Sequence, residues 1–366
     1  MRYNPAAMLK PPVPLEGARV MRHLSVPSKE TASWKARLER EEWLAKGHGI
    51  HHLDDRRGIP LTTAAPEEID GLPILDLLPL TSNPKHWTER LPQEIREANK
   101  SDWPMAHDQI GDVVILKIPE VVETHSNIIG QCILDQIPSA RIVCADKGVK
   151  GEFRVRSLES IASRDGTTTT QTRVKEHGAL LWVDPGSAYY SPRLATERQG
   201  TLACARGLNT RLKRPLVICD PYAGVGPALL PLLAEEGLVD RIVASDLNPK
   251  ATSLLRKNLP DSAWVGCRDA RKLHEEMAGF ADIVLVNLPH NSIDHLPDMI
   301  PLLAKGHEVI IRGWAILPLE QMDAAEKKVR AILGSNNLLS LELVPSRSYS
   351  PRDAYTCIEA HLLLSE

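Results

Sequence analysis

From residue 191 onward, the chain alternates short apolar runs with longer segments whose apolar residues recur at helical spacing. This alternation is typical of a parallel sheet covered by helices on both faces. We therefore predict a doubly wound, Rossmann-like α/β domain. Its predicted strands are at 215–219, 241–245, 282–286 and 307–312, its helices at 227–235, 249–258, 294–304 and 319–333, and two final strands near 338–344 and 355–364.

Two shorter modules precede this domain. In the first, 20–26 alternates weakly like a strand, and a helix is predicted to begin at Ser28 and to end near Gly47. A strand is predicted at 50–53, and the Thr, Ala and Pro stretch at 62–66 is interpreted as a linker. The second module has the pattern of a small α+β unit. Its predicted strands are at 110–118, 141–145, 151–156 and 180–184, and its helix is at 126–134.

These modules predict an N-terminal α/β RNA-binding domain at 1–65, a middle α+β domain at 66–190 and the Rossmann-like domain at 191–366. With 43% apolar and 25% charged residues, the chain has enough apolar surface for a sizeable core, which excludes a disordered protein. No apolar run approaches the roughly 20 residues that span a bilayer. We also expect no signal peptide, because 1–14 holds two basic residues and four prolines but no apolar segment.

The six cysteines have no C-x-x-C pairing and no zinc spacing, so they are interpreted as reduced thiols of a cytoplasmic protein with no metal site. The net charge is −3, so the protein as a whole has no positive electrostatic field that would attract nucleic acid. Locally, 1–65 holds 11 Lys and Arg against 7 acids, and 141–175 holds 8 against 4. An RNA partner is therefore expected only through local basic faces. On charge alone, these faces are interpreted as solvated surface.

A Gly-rich loop follows the first strand of the third module. Asp220 ends that strand, and Gly224 and Gly226 let the backbone approach a ligand at the carboxyl edge of the sheet. The carboxylate would repel a pyrophosphate and attract an ammonium group. Leu229 also stands where a dinucleotide fingerprint requires Gly or Ala. An amino-acid-bearing nucleoside such as S-adenosylmethionine fits better than a nicotinamide cofactor.

Three further polar residues follow later strands. Asp246 is predicted to accept ribose hydroxyls, with capping as the alternative. Asp269 is interpreted equally as an acceptor for the adenine amine or as a turn residue. The Asn287 amide has both donors and an acceptor, and the rigid Pro289 lies two residues further on. Asn287 is therefore predicted to hydrogen-bond the polar edge of a planar base. His290 is interpreted as a loop or cap residue.

Taken together, these motifs resemble the archaeal and eukaryotic type of tRNA (guanine-37-N1)-methyltransferase, over nearly the whole chain. The resemblance rests on the segments at 110–119, 151–154, 189–198, 220–226 and 287–289, of which 189–198 is the most diagnostic. It implies a class I methyltransferase fold, S-adenosylmethionine as cofactor, and a monomer that binds tRNA at the anticodon loop and the elbow.

The resemblance also implies residue roles. Glu197 would be the general base for guanine N1, Arg154 would hydrogen-bond O6, and Asn287 would hold the base edge. Tyr189 would line the pocket, and Pro289 would shape its loop. The chemistry asks for these groups, because N1 carries a proton and the resulting charge spreads to O6. The implied cofactor set is Asp220, Tyr222, Ala223, Gly224, Val225, Gly226, Asp246, Leu247, Asp269, Ala270 and Asn287.

Several alternatives stay open. A wybutosine-pathway enzyme of similar sequence transfers an aminocarboxypropyl group, and the tripeptide at 287–289 favours methyl transfer over it. A bifunctional branch methylates both guanine and a tricyclic derivative. A catalytically inert RNA-binding protein with the same fold is a third alternative. Arg156 is a second candidate for the O6 contact because it lies two residues from Arg154.

Overall fold

The structure is a computed structural model that describes residues 20–80, 84–151, 153–334 and 337–366. The predicted lack of a signal peptide concerns residues outside these ranges. The chain divides into two compact units, Met1–Arg90 and Leu91–Glu366. Among the described residues, no helix combines the length and apolar character needed to cross a bilayer.

In its described part, the first unit is an antiparallel sheet of order β2-β3-β1-β4 beside one α-helix. Its elements are β1 (Met21–Pro27), α1 (Thr31–Arg40), β2 (His51–Leu53), β3 (Arg56–Pro60) and β4 (Ile74–Leu77). The helix begins with a 3-10 turn at Ser28 and ends at Arg40, earlier than predicted. The linker prediction is wrong, because Ala65 packs in the buried core and Arg22 donates to the Thr62 and Ala65 carbonyls. The boundary predicted at residue 65 lies inside this unit, since β4 pairs with β1.

The first part of the second unit is a sheet of order β5-β6-β7-β8 and a hairpin, β9–β10. Its elements are α2 (Gln93–Ala98), β5 (Asp108–Ile110), β6 (Val113–Leu116), α3 (Ser126–Gln136), β7 (Ile142–Lys150), β8 (Val155–Ser163), β9 (Thr172–Glu176) and β10 (Ala179–Val183). The strand predicted at 110–118 is split by a turn at Gly111, where φ is +59°. The strand predicted at 151–156 is wrong at its start, because Gly151 and Arg154 have positive φ and form the turn into β8.

The rest of the unit is built on a sheet of order β13-β12-β11-β14-β15-β17-β16. Its elements are α4 (Ala195–Leu212), β11 (Leu216–Asp220), α5 (Leu230–Leu233), β12 (Val239–Asp246), α6 (Pro249–Asn258), β13 (Trp264–Cys267), α7 (Leu273–Glu276), β14 (Ile283–Val286), α8 (Ser292–Met299), β15 (Glu308–Pro318), α9 (Met322–Leu333), β16 (Leu338–Ser348) and β17 (Asp353–Leu363). The strands from β13 to β15 run parallel, and β17 and β16 are antiparallel additions.

The central parallel strands of this sheet, β11, β14 and β15, are buried on both faces, as their apolar sequences predict. One core lies under α8 and α9 and the other under α4, α5 and α6. All four residues of β14 are buried. The strand order reverses between β11 and β14, and ligands of open α/β sheets bind at such a switch point. The fold therefore directs attention to the carboxyl ends of β11, β12 and β14.

Candidate active site

A buried carboxyl group lies beneath the Gly-rich loop that follows β11. The Asp220 side chain, on a residue that is 1% exposed, accepts a hydrogen bond from the Tyr222 amide at 3.2 Å. Burial, with a contribution from the nearby Asp246 carboxylate, raises the pKa of Asp220 to about 8. Gly224 and Gly226 have φ of +56° and +86°, which lets the loop fold back over the strand end. A cationic ligand group beside Asp220 would offset the cost of its buried charge.

The second carboxylate, Asp246, joins this loop to the start of α6. Its Oδ2 accepts the Gly224 N–H and its Oδ1 accepts the Asn248 N–H, both at 2.8 Å. Burial raises the pKa of Asp246. Each carboxylate oxygen has two lone pairs, so each keeps one acceptor position for a ligand hydroxyl. This geometry fits a vicinal diol such as that of a ribose.

Leu247 presents apolar surface next to Asp246. Its side chain is 44% exposed, which suits contact with the face of a planar base. The half-buried Tyr222 instead directs its hydroxyl to His295 Nδ1, at 2.7 Å, and so braces the loop against α8. The other apolar residues of the predicted cofactor set, Ala223, Val225 and Ala270, are buried.

Asp269 begins the turn after β13. Its carboxylate accepts the Arg271 amide at 3.1 Å and pairs with the Arg271 guanidinium at 2.6 Å. These contacts hold the pKa of Asp269 below its usual value. Asp269 is thus a turn residue in the structure, as one of its two interpretations predicts. Its contact with an adenine amine stays a prediction.

Asn287 follows β14 and lies at the same edge of the sheet, because β14 pairs in parallel with β11. The Pro289 carbonyl accepts the Ile316 N–H at 2.8 Å, which holds the loop at 287–289 alongside β15. Within the described residues, the Asn287 side-chain amide has no hydrogen-bond partner. Both its donor and its acceptor are therefore available to a ligand.

Glu197 reaches this edge from the first turn of α4. Its half-buried carboxylate accepts a hydrogen bond from Trp314 Nε1 at 3.4 Å. Trp314 follows Gly313, which pairs with Val286, the residue before Asn287. The register of β14 and β15 therefore brings Glu197 and Asn287 to the same end of the sheet.

A buried polar cluster positions the segment that leads into α4. The Tyr190 hydroxyl donates to Glu176 at 2.7 Å, and the Arg198 guanidinium pairs with Glu176 and donates to the Ser191 carbonyl at 3.1 Å. The side chains of Arg198 and Glu176 are 7% and 10% exposed. Burial and the Glu176 carboxylate raise the pKa of Tyr190. Because Arg198 directly follows Glu197, this cluster fixes the first turn of α4, which carries Glu197.

The two candidate arginines of the β7–β8 turn differ in their contacts. Arg156 pairs with Asp108 at 2.9 Å and lies 3.7 Å from Asp146. Arg154 is exposed and, among the described residues, its guanidinium has no hydrogen-bond or ion-pair partner. Burial, with the nearby positive charge of Arg154, lowers the pKa of His290, which indicates that Arg154 lies in the neighbourhood of the loop after Asn287.

Tyr189 lies between the glycine loop and an open cleft. Its carbonyl oxygen is 3.9 Å from the position that a Cβ on Gly224 would occupy. Its ring, on a residue that is 61% exposed, lines a cleft of about 280 Å³ together with Arg193 and Tyr349. The backbone of Tyr189 thus lies near the glycine loop and its ring borders the cleft, and the pocket role predicted for it stays a prediction.

Comparison with known proteins identifies the family. Residues 87–167 match the profile of the TYW2 N-terminal domain, and residues 172–330 match that of the TRM5/TYW2 methyltransferase domain. The chain belongs to the TRM5/TYW2 family. The predicted family resemblance and the predicted Rossmann-like class I methyltransferase fold are both confirmed.

Relatives within the TRM5/TYW2 family align over part of their length. The chain is 38% identical over 156 residues to the tRNA (guanine(37)-N(1))-methyltransferase Trm5b of Methanocaldococcus jannaschii, which covers 42% of each protein. It is 31% identical over 230 residues to Trm5b of Pyrococcus abyssi, covering 61% of this chain and 63% of that relative. The chain thus matches about two fifths to three fifths of these relatives.

Solved structures of the family superpose over most of the chain. The complex of aTrm5 with tRNALeu has a TM-score of 0.65 at 25% identity, covering 93% of this chain and 99% of that one. Trm5b from Pyrococcus abyssi has a TM-score of 0.60 at 24% identity, covering 94% and 100%.

Sequence reasoning missed the helix that carries Glu197. Helix α4 contains Gly200 and Gly207, which weaken its helical signal. Gly200 packs directly on β15, where an added Cβ would lie 2.7 Å from the Arg312 guanidinium. Trp314 and Tyr349 were also missed, because nothing in their spacing points to the site.

Proposed function

We propose that this protein is an S-adenosylmethionine-dependent tRNA (guanine-37-N1)-methyltransferase. The observation that carries the proposal is one shared edge of the sheet. There, the buried Asp220 and the half-buried Asp246 flank a positive-φ glycine loop. The half-buried Glu197 shares this end of the sheet with Asn287, whose side-chain amide has no hydrogen-bond partner among the described residues. This combination provides a nucleoside site next to a base and a hydrogen-bonding group for a second, planar substrate.

The acidic pair fits the cofactor in two ways. Asp220 offers a buried carboxylate to the ammonium group, and the free lone pairs of Asp246 suit the ribose hydroxyls. Leu247 would cover the adenine, and Gly224 and Gly226 leave room for the backbone to approach it. When bound, S-adenosylmethionine supplies the methyl group, and the protein's task is to position the two reactants.

The second task is to remove a proton from the target. Guanine N1 is protonated at neutral pH, so it is a poor nucleophile until a base takes that proton. Glu197 is that base in our proposal, and Asn287 holds the base edge. Arg154 stabilises the charge on O6, and its free guanidinium makes it the better candidate than Arg156, which Asp108 already engages.

The partner in this proposal is tRNA, which enters with its anticodon loop at the sheet edge and its elbow at the N-terminal unit. The basic excess of 1–65 is consistent with that division of roles. A division into three domains remains part of the proposal, with its first boundary at Arg90 in place of residue 65. We further place the enzyme in the cytoplasm as a monomer. All six cysteines are free thiols, which suits a reducing compartment.

A second candidate function is aminocarboxypropyl transfer from the same cofactor. It is favoured by the match of residues 87–167 to the TYW2 N-terminal domain. The two reactions leave different products, because methyl transfer releases S-adenosylhomocysteine and aminocarboxypropyl transfer releases methylthioadenosine. Mass analysis of the nucleoside product and of the spent cofactor separates them in one reaction.

The deciding experiment is single-turnover methylation of unmodified tRNA with guanosine at position 37, read by primer-extension arrest. Glu197→Gln keeps shape and hydrogen bonding but cannot accept the proton, so we expect a loss of roughly 10²–10⁴-fold in rate. Glu236→Gln is the matched control, an exposed residue before β12 at the opposite edge of the sheet. A wild-type rate in Glu197→Gln would remove Glu197 from this role.

A further inference from the structure

The tip of the β16–β17 hairpin forms one wall of the cleft beside the proposed active site. Tyr349, at this tip, is 55% exposed, and its ring meets the ring of His290 edge-on with centroids 6.2 Å apart. His290 directly follows the loop at 287–289. An exposed aromatic side chain therefore borders the loop to which the target base is assigned. This wall lies beyond residue 330, outside the matched family profiles.

The hairpin tip is rigidly built. Tyr349 and Ser350 both donate their amide N–H to the Asp353 carbonyl, at 2.9 and 3.1 Å. The Ser350 hydroxyl donates to the Asp353 carboxylate at 2.6 Å and accepts the Arg352 N–H at 3.2 Å. An aromatic ring on such a preorganised turn loses little conformational entropy when a ligand stacks on it.

The cleft is also basic. Arg156, Arg193 and Arg347 line it against a single acid, Asp108, which leaves a net charge of +2 among these groups. Asp108 is already engaged by Arg156 at 2.9 Å and by Arg193 at 2.6 Å. Arg347 lies over the Tyr355 ring at 4.8 Å, and no carboxylate among the described residues pairs with it. Its Nη1 makes a long hydrogen bond to the Arg193 carbonyl at 3.5 Å, and its other N–H groups can meet a phosphate.

Exposed aromatic rings combined with a net positive charge are the chemistry that binds single-stranded nucleic acid. Tyr189 on one wall and Tyr349 on the other offer two stacking surfaces, and Tyr189 reaches the glycine loop. We propose that this cleft holds the single-stranded RNA adjoining the target guanine, with a flanking base stacked on Tyr349 and its phosphate on Arg347. The proposal rests on the proposed function for its substrate and adds the residues that grip the neighbouring nucleotide.

The test measures equilibrium binding of fluorescent, unmodified tRNA with guanosine at position 37, and of the same tRNA with an abasic ribose at position 36 or at position 38. Tyr349→Ala should weaken binding of intact tRNA by about 5- to 150-fold, the range for loss of one stacked base. One of the two abasic tRNAs lacks the base that stacks on Tyr349. Tyr349→Ala and wild type should bind that tRNA with equal affinity. Tyr349→Phe should retain wild-type affinity, because it keeps the ring.

Two further variants sharpen the result. Arg347→Gln should lower the salt dependence of binding by about 0.7 in log K against log salt, the value for one phosphate on a single strand. Leu339→Ala is the control, an exposed apolar residue on the same strand about 30 Å away along β16. It should bind like wild type.

Wild-type affinity in Tyr349→Ala, or an equal loss on all three tRNAs, would overturn the proposal. The binding readout needs no methyl transfer. If wild type binds tRNA but leaves guanine 37 unmodified, the proposed function fails and the stacking site is still judged from the affinities. If wild type binds none of the three RNAs, both proposals fail.

Discussion

Replacing Asp220 with Asn should make the free protein more stable and its cofactor site weaker. The wild-type carboxyl group is wholly buried, and burial raises its pKa from 3.8 to about 8. The folded state therefore keeps a proton that the unfolded state loses near pH 4. Stability is unaffected by this group below that pH, and it falls as the pH rises from about 4 to 8. The slope is about 1.4 kcal/mol per pH unit.

Asn has the same shape and no charge, so Asp220→Asn should escape this penalty. The difference in melting temperature between variant and wild type should grow by about 2 °C per pH unit for a domain of this size. The measurement is calorimetric melting of both ligand-free proteins from pH 5 to 8. Taking the difference removes the titration of every other group that the two proteins share.

The same variant loses the attraction to the cofactor's ammonium group. We expect S-adenosylhomocysteine, which keeps the amino-acid part, to bind about 10- to 100-fold more weakly, as for a lost hydrogen bond to a charged group. Methylthioadenosine lacks that part, so its affinity should not change. A pH-independent melting difference would refute the buried-charge argument. An equal loss for both ligands would refute the place assigned to Asp220.

Three other perturbations test the rest of the site. Gly226→Val should lower both the melting temperature and the affinity for the cofactor, because Gly226 has a φ of +86° and an added Cβ would lie 2.8 Å from Leu255 Cδ1. Calorimetry that finds the wild-type melting temperature and affinity in this variant would contradict the expectation. Arg154→Ala should slow single-turnover methyl transfer by roughly 10²–10³-fold, as for a lost oxyanion donor. Arg156→Ala should instead lower stability by breaking the Asp108 pair, and equal rates for the two arginine variants would reject the assignment. Deleting residues 1–90 should weaken tRNA binding and reduce its salt dependence, and the affinity for S-adenosylhomocysteine should not change. If the truncated protein binds tRNA as tightly as wild type at every salt concentration, tRNA recognition belongs to the second unit.

Local sequence determined most elements of the Rossmann-like domain. Its parallel strands are buried on both faces, so they appear as uninterrupted apolar runs such as 283–286, and α6 has the predicted bounds because Asn248 and Pro249 mark its start. The acids at the strand ends could be found in the same way, since the carboxyl ends of parallel strands share one edge. This rule alone was enough to predict that three polar residues lie at the site, namely Asp220, Asp246 and Asn287.

Tertiary contacts decided what local patterns could not. The stretch at 62–66 has the composition of a linker, yet Arg22 satisfies its carbonyls and Ala65 fills the core. The turn containing Arg154 was predicted as strand, because positive φ in a non-glycine residue leaves no mark in the sequence. Such conformations are set by neighbouring chain segments rather than by local preference.

The same limit applies to the site. Gly200 lowers the helix propensity of α4, so the local sequence argues against a helix there. Its small size is nevertheless needed for close packing of α4 on β15, so the tertiary structure favours a helix with glycine at this position. The contact of Trp314 with Glu197 spans 117 positions, and that of His290 with Tyr349 spans 59. Sequence alone placed the acids along the chain. Only the register of β14, β15 and β17 determined which distant side chains meet them, because pairing partners depend on the whole sheet.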